Sequence, residues 1–561
     1  MTHHEKNSEH SAETFRSQFP LFAQPENRNL VYLDNAATTQ RPAMVIDAVA
    51  DFYRHSNANT HRSSHRLARQ ATEMVEQTRQ RAAAFLNARS SREIVFCRGA
   101  TEALNLLAYS LCAGLEPGDE IVLSTIEHHA NLVPWQMMAE RYHLQLRYVP
   151  HTAGVPQFDR LDEMLGNRTR IVSLTGGSNA LGLRPDLAAI AEKLRGRHLH
   201  WVVDGSQLAA HEVVDVQALG CDFFVCSAHK FYGPTGVGLL YGREALLQAM
   251  PPWQGGGEMI AEVGLLHSVY ADLPHKFEAG TSPLAGLAGL GAAFDFLAQQ
   301  DRGAMAAHEQ ALLQWLHREL SQLPHLRLLS QPQHNLGIVA FAPVDAAPAD
   351  LALWLDGRDI AVRVGHHCAQ PLIRASGEGA TVRASVAGYT TWQDCEAFLE
   401  AVRDFQRVTE PVDSAAAAAA AAGDDWLADD LSALRLERLA SQRNWQDRYR
   451  ELMRWSKSIT TKPGIRSAQN LVQGCESEAW LVHRQQEGRH YFAVDSDSRV
   501  VRGLAALLLS QIDGRTGSQI AAADFDRLFA DLGLRQHLSQ SRSNGFYALL
   551  RQALQFVESA Q

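Results

Sequence analysis

Cysteine is scarce and unpatterned in this chain of 561 residues, with seven copies at positions 97, 112, 221, 226, 368, 395 and 475 and no C-x-x-C pair. An odd, scattered set argues against a disulfide framework and against zinc-ligand spacing; it fits a reducing cytoplasm, and no metal site is expected. Long apolar runs are missing as well. None reaches the ~18 residues a membrane helix needs, and the opening MTHHEKNSEHSAETF has no apolar signal-peptide core, so no membrane partner is expected. Positive charge is in short supply: 52 Lys and Arg stand against 62 Asp and Glu, a formal net charge of -10, with no basic stripe. That balance argues against a nucleic-acid binder, which needs clustered cations for phosphates. There is no internal repeat. What remains is 46% hydrophobic and 20% charged, the composition of a soluble globular protein, and too long for a single core.

From about 20 to 408, short apolar runs alternate with amphipathic stretches. EIVFC (93–97), DEIVLS (119–124), RIVSLT (170–175), HWVVD (200–204) and DFFVCS (222–227) read as buried strands, and TEALNLLAYSLC and PDLAAIAEKLRG between them as helices. This alternation predicts an α/β fold with helices on both faces of an open sheet, its ligand at the carboxyl ends of the strands. Eight consecutive alanines (415–422) followed by Gly423 mark a linker over 409–425, or one turn of a longer helix. Beyond it the pattern changes. NWQDRYRELMRWSKSI reads as a helix, EAWLVHRQQEGRHYFAVDS as two strands about a turn, and VVRGLAALLLSQI as a long apolar helix: a small α+β domain over 426–561, separate from a first domain over 1–408.

Within the first domain, DFFVCSAHKFYGPTGVGLLYG sets Lys230 just past a buried strand. Lysine is seldom carried into such a place without chemistry to do. Asp204 ends the preceding strand, 26 residues earlier, on what the alternation makes the adjacent strand tip. A lysine able to form an imine, a carboxylate able to keep a pyridine nitrogen protonated, and a helix start at GATE (99–102) whose amides, with Ser227 and His229, could hold phosphate are the binding parts for pyridoxal phosphate.

YLDNAATTQRP, RGATEALN, EHHANLVPWQ, VDGSQ, SAHKFYGPTGVGLLYG, FEAGT and RVGHHCAQPL, in this order over about 390 residues, resemble the group II (SufS/CsdA-type) cysteine desulfurases. The resemblance implies a fold-type I, pyridoxal phosphate-dependent transferase: a large domain with a mixed, mostly parallel sheet and a small C-terminal α+β subdomain. It implies that Lys230 carries the cofactor and shuttles protons, that Asp204 pairs with the ring nitrogen, that Gln207 lies near the ring hydroxyl and that His128 stacks on the ring; His129 has a less definite place. Ala100, Thr101, Ser227 and His229 become phosphate contacts, while Gly280 and Thr281 reach the phosphate of a partner subunit, hence a homodimer. Arg383 and Asn179 hold the substrate L-cysteine, Arg383 by a two-pronged grip on its carboxylate, and His61 and Arg62 form another active-site pair.

Cys368 lies in a polar, histidine-rich stretch, where a thiolate is the reactive species. The resemblance makes it the nucleophile that takes sulfur from L-cysteine and releases L-alanine. The other first-domain cysteines, Cys97, Cys112, Cys221, Cys226 and Cys395, read as structural. In the second domain, GCESEAWL, DSDSRVVRGLAALLL and LGLRQHLSQSRSNGF resemble the SufE/CsdE sulfur acceptors over about 436–555, and the matching cysteine, Cys475, receives the sulfur. Asp497 and Arg502 lie in the matched stretch without an assigned role. The reading is a fused sulfur donor and acceptor, with a downstream sulfur-accepting or iron–sulfur scaffold protein as partner. Its alternatives are a selenocysteine lyase, and a desulfurase whose second domain only docks or regulates.

Overall fold

The computed structural model describes residues 12–60, 64–409, 429–431, 434–442, 445–473, 478–496, 498–532, 534 and 540–559. His61, Arg62, the alanine run, Cys475 and Asp497 lie outside the described residues. The chain divides into two compact units.

The first unit comprises 1–324, 328–341 and 361–397. Its centre is a seven-stranded sheet of β1 (Ile94–Cys97), β2 (Glu120–Leu123), β3 (Gln145–Tyr148), β4 (Thr169–Thr175), β5 (His200–Asp204), β6 (Phe223–Ser227) and β7 (Gly238–Gly242), in the order β1-β7-β6-β5-β4-β2-β3. Strands β2 to β6 pair in parallel, and β7 runs antiparallel to both β6 and β1. Apart from the edge strand β3, with sequence QLRY and no buried residue, their near-continuous apolar sequences follow from burial on both faces. Alternate residues enter two cores: Phe96, Val122, Val172, Val203, Phe224 and Leu239 one, Val95, Ile121, Ile171, Val202, Phe223 and Leu240 the other. Helices α1 (Arg66–Leu86), α2 (Ala100–Cys112), α3 (Leu187–Leu194) and α4 (Leu284–Ala298) supply the covering layers. The five expected strands are present, with ends shifted by at most one residue: Glu93, for instance, belongs to a short 3-10 turn rather than to β1. A second antiparallel set joins β10 (Ile338–Pro343) to β12 (Thr381–Ser385) and β12 to β11 (Arg363–Gly365), after a surface hairpin of β8 (Ile260–Val263) and β9 (Ser268–Tyr270).

The second unit comprises 325–327, 342–360 and 398–561. It thus draws in parts of the expected first domain. The physical link is helix α5 (Pro348–Asp356), whose buried Trp354 donates its indole N–H to the Ala401 carbonyl at 2.8 Å. Farther along, β13 (Ala479–Gln486) and β14 (Arg489–Ser496) form the expected hairpin, joined by Glu487 and Gly488 with φ of 50° and 72°, the twist that two-residue hairpin turns require. The apolar helix α7 (Arg499–Ile512) lies against α6 (Trp445–Trp455); a Cβ on Gly503 would come within 2.4 Å of the Leu452 carbonyl oxygen. No helix among the described residues is long and apolar enough to cross a membrane.

Candidate active site

The carboxyl ends of the parallel strands converge on a cavity of about 240 Å³ in the first unit. Its walls include Ala100, Thr101, His128, Asn179, Asp204, Ser227, His229, Lys230, Cys368 and Arg383, so ten of the residues singled out in the sequence share one space. Topology explains their meeting. Asp204 terminates β5, opposite Val225 of the adjacent parallel strand β6, and Lys230 follows β6 by three residues. The amides that open α2 arrive from β1, and Ala100 N donates to Ser227 Oγ at 2.8 Å.

The electrostatics are those of a dry cation among polar groups. Burial pushes the Lys230 ammonium down to about 8, with the Asp204 carboxylate opposing the shift. Asp204 Oδ1 accepts from Ser206 N at 3.1 Å and from Ser206 Oγ at 2.6 Å. Burial and the Lys230 charge lower His128 to about 4, and the same two causes lower His229 to about 4. His128 is therefore neutral near pH 7. Its Nδ1 accepts the Ala130 N–H at 3.0 Å, which puts the ring proton on Nε2.

Cys368 is exposed and belongs to a tight turn in which His367 and Cys368 have φ of 52° and 55°. Two successive non-glycine residues in the left-handed region cost of order 1 kcal/mol each and persist only under restraint. The restraints are explicit. Asn179 Nδ2 donates to the His367 carbonyl at 2.5 Å, His129 N donates to the Cys368 carbonyl at 2.7 Å, and His367 Nε2 pairs with Thr381 Oγ1 at 2.8 Å. Opposite, Arg383 is 1% exposed, donating to the Asn179 carbonyl at 2.6 Å and to Asp34 Oδ1 at 3.0 Å.

Some residues stand apart. Gln207 is buried but does not line the cavity; its Nε2 donates to the carbonyl of Ala36, which does. Gly280 and Thr281 are exposed and outside the cavity wall. Other contributors carry no signal of their own in the sequence. Asp34 clamps Arg363 through both carboxylate oxygens (2.9 to 3.2 Å) while also holding Arg383. Glu127, enclosed and pushed up to about 8 by burial, ties Ser124, Asn131 and the Thr175 amide together directly beside His128. Asp34 and Glu127 stand inside quoted motifs, but their partners are set only by folding.

Asn179 Oδ1, His367 Nδ1 and Arg383 Nε are buried beside the cavity and have no hydrogen-bond partner among the described residues. Buried polar atoms left so cost about 1–3 kcal/mol each. Together with the amine, the carboxylate and the helix-start amides, they suit a polar ligand carrying an aldehyde, a basic ring nitrogen and a phosphate. The residues present fit pyridoxal phosphate with an amino-acid substrate.

Comparison with known proteins agrees. The aminotransferase class-V family matches residues 31–398, and the SufE family (Fe-S metabolism associated domain) matches residues 434–557. A cysteine desulfurase of Salmonella choleraesuis is 44% identical over 403 residues, covering 71% of this chain and 98% of its own length. One of Escherichia coli O157:H7 is 43% identical over 402 residues, covering 71% and 99%. Among solved structures, the cysteine desulfurase CsdA of Escherichia coli, in an S-sulfonic acid form, superimposes with a TM-score of 0.66 at 38% identity, covering 71% of this chain and 98% of that one. The apo cysteine desulfurase of Thermococcus onnurineus gives 0.67 at 32% identity, covering 70% and 98%. The chain belongs to the pyridoxal phosphate-dependent cysteine desulfurases of aminotransferase class V, with a SufE-family domain following the enzyme.

Proposed function

We propose that this protein draws sulfur from L-cysteine onto Cys368 and passes it to Cys475 of its own SufE-family domain. The observation that carries the reading is the exposed Cys368, held in a restrained left-handed turn at the mouth of the cavity that also contains Lys230, Asp204 and Arg383. Lys230 would bind the cofactor aldehyde, Asp204 its ring nitrogen, and Ala100, Thr101, Ser227 and His229 its phosphate. When bound, pyridoxal phosphate supplies the electron sink for bond breaking at the amino acid. The protein does the rest. Arg383 and Asn179 would hold the substrate carboxylate, Lys230 Nζ would move the proton at its Cα, and neutral His128 on the cavity wall would face the ring with its Nε2 proton available. The Cys368 thiolate bonds to the substrate sulfur as the carbon–sulfur bond breaks and that carbon takes a proton, leaving alanine and a persulfide. The Cys475 thiolate then attacks the outer sulfur, and Cys368 departs as a thiolate.

We draw the domains at 1–408 and 426–561 with the alanine-rich linker 409–425 between, supported by the family matches on either side of it. A homodimer fits the exposed hairpin β8–β9, whose tip leaves Leu265 and Leu266 fully solvent-facing, an apolar patch of the kind that marks interfaces. Sulfur would leave for an acceptor or iron–sulfur scaffold in the cytoplasm.

The test is intact mass and peptide mapping after brief exposure to L-cysteine, for wild type, Cys368→Ser and Cys475→Ser. The relay predicts sulfane sulfur on Cys475 in wild type, none anywhere in Cys368→Ser, and sulfur halted at Cys368 in Cys475→Ser. Sulfur that stops at Cys368 in wild type refutes transfer and leaves the second domain a docking module.

A further inference from the structure

Helices α5 and α7 both belong to the second compact unit, yet α5 lies in the stretch matched by the aminotransferase family and α7 in the stretch matched by SufE. The side chain of Asp350 joins them. Asp350 of α5 is 0% exposed. Its Oδ1 accepts from Ser498 Oγ at 2.7 Å and from Val500 N at 3.4 Å, and its Oδ2 accepts from Arg499 N at 2.7 Å.

A carboxylate is almost never wholly buried without compensation. Here the compensation comes from the first-turn amides of α7, which have no partners within their own helix, and from the positive end of its dipole. Those donors are supplied by chain 148 to 150 residues away. Ser498 serves both sides: its hydroxyl donates to Asp350 and accepts from Val501 N at 3.3 Å, capping α7. One turn on, burial lowers the Arg502 guanidinium, while the carboxylates of Asp495 and Asp350 oppose that shift. The contact therefore joins a carboxylate on one side to a hydroxyl and two backbone amides on the other.

Its position bears on sulfur transfer. Ser496 ends β14 opposite Ala479, and its Oγ donates to the Glu478 carbonyl at 2.6 Å. Glu478 is three residues beyond Cys475 in sequence, and Ser498 two beyond Ser496. The residues that grip Asp350 thus follow directly from the end of the hairpin that Glu478 enters.

We propose that Asp350 is the docking carboxylate by which the desulfurase region holds its own SufE-family region. The occupant of this surface is the first turn of α7, and the strength of the contact sets how long the acceptor stays in place for handover. The consequence for transfer rests on the relay reading above; the docking does not.

The experiment uses the full-length holoenzyme as wild type, Asp350→Asn and Ser498→Ala, with hydrogen exchange of peptides covering 498–501 and rapid-quench mapping of sulfur after L-cysteine. Asp350→Asn removes the charge and replaces one of the two accepting oxygens with an NH2 donor, so the three donors of 498–500 can no longer all be satisfied. Exchange at 498–501 is expected to rise about tenfold, with β13 and β14 still protected. Sulfur should reach Cys368 at the wild-type rate and Cys475 about tenfold more slowly. Ser498→Ala, which takes nothing from α5, should show the same local exchange to a smaller degree. Unchanged exchange at 498–501 in both variants overturns the docking role. So does loss of protection throughout the hairpin in both, which makes Asp350 a general structural residue. If wild type never places sulfur on Cys475, the relay fails, while the exchange data still decide the docking.

Discussion

Lys230 shows how much one residue's surroundings change its chemistry. A solvated lysine titrates near 10.5, whereas burial brings this one to about 8 and Asp204 holds it from falling farther. The direction favours function, because only the neutral amine adds to an aldehyde. In the cofactor-free protein, the pH dependence of Lys230 labelling by an amine-selective reagent should have its midpoint near 8, as burial sets it. Asp204→Asn removes the charge that favours the ammonium and should shift the midpoint lower; a shift upward would refute the pairing. Lys230, Asp204 and Cys368 could be found in the sequence because residue type conflicts with setting: a lysine and a carboxylate at the ends of apolar strands, a thiol among histidines. Asp34 could not. Its partners Arg363 and Arg383 lie 329 and 349 residues away, and nothing local to Asp34 announces them.

At the scale of elements, the end of the cavity lined by Ala100 and Ser227 depends on how closely three pieces of backbone approach. Gly238 opens β7, pairing with Cys97 on one side and Ser227 on the other. A Cβ there would lie 2.5 Å from Gly99 Cα and 2.8 Å from the Cys226 carbonyl oxygen. Gly238→Ala must then push the start of α2 away from Ser227. We expect a stability loss of about 1–3 kcal/mol, read as a shifted urea midpoint, and a weaker absorbance titration with pyridoxal phosphate. Gly255→Ala, where an added Cβ meets nothing within 4 Å, is the control and should change neither. The strands were legible because burial on both faces forces short β-branched runs. The left-handed turn at His367 and Cys368 was not. Neither is a glycine or asparagine, and restraints from Asn179, His129 and Thr381 hold the conformation that local preference would reject.

For the whole molecule, the proposed relay gives a reason for one chain to carry both a desulfurase and a SufE-family domain. A tether makes the second step intramolecular, at an effective concentration on the order of millimolar for a short flexible linker. A specific protease site placed within 409–425 tests this. Before cleavage, the rate of sulfur arrival on Cys475 should not depend on protein concentration. After cleavage it should become proportional to concentration at micromolar levels, while alanine formation in the first turnover is unchanged. Equal rates before and after cleavage would show that docking alone, without the tether, keeps the partners together.

Sequence by itself determined which side chains are available for this protein's chemistry, an amine, a carboxylate and a thiol at the places the motifs set them, and that an α/β enzyme precedes an α+β SufE-family domain. Those follow from side-chain type, burial periodicity and ordered motifs, all local in the chain. Tertiary structure decided the rest. It turned Asp34 and Glu127 into supports of the site, lowered Lys230 by burial, held Cys368 in a strained turn, and set the buried carboxylate of Asp350 against amides 148 to 150 residues away. In each case the controlling partner is distant in sequence, and its energy depends on exclusion of water, which exists only once the chain has folded.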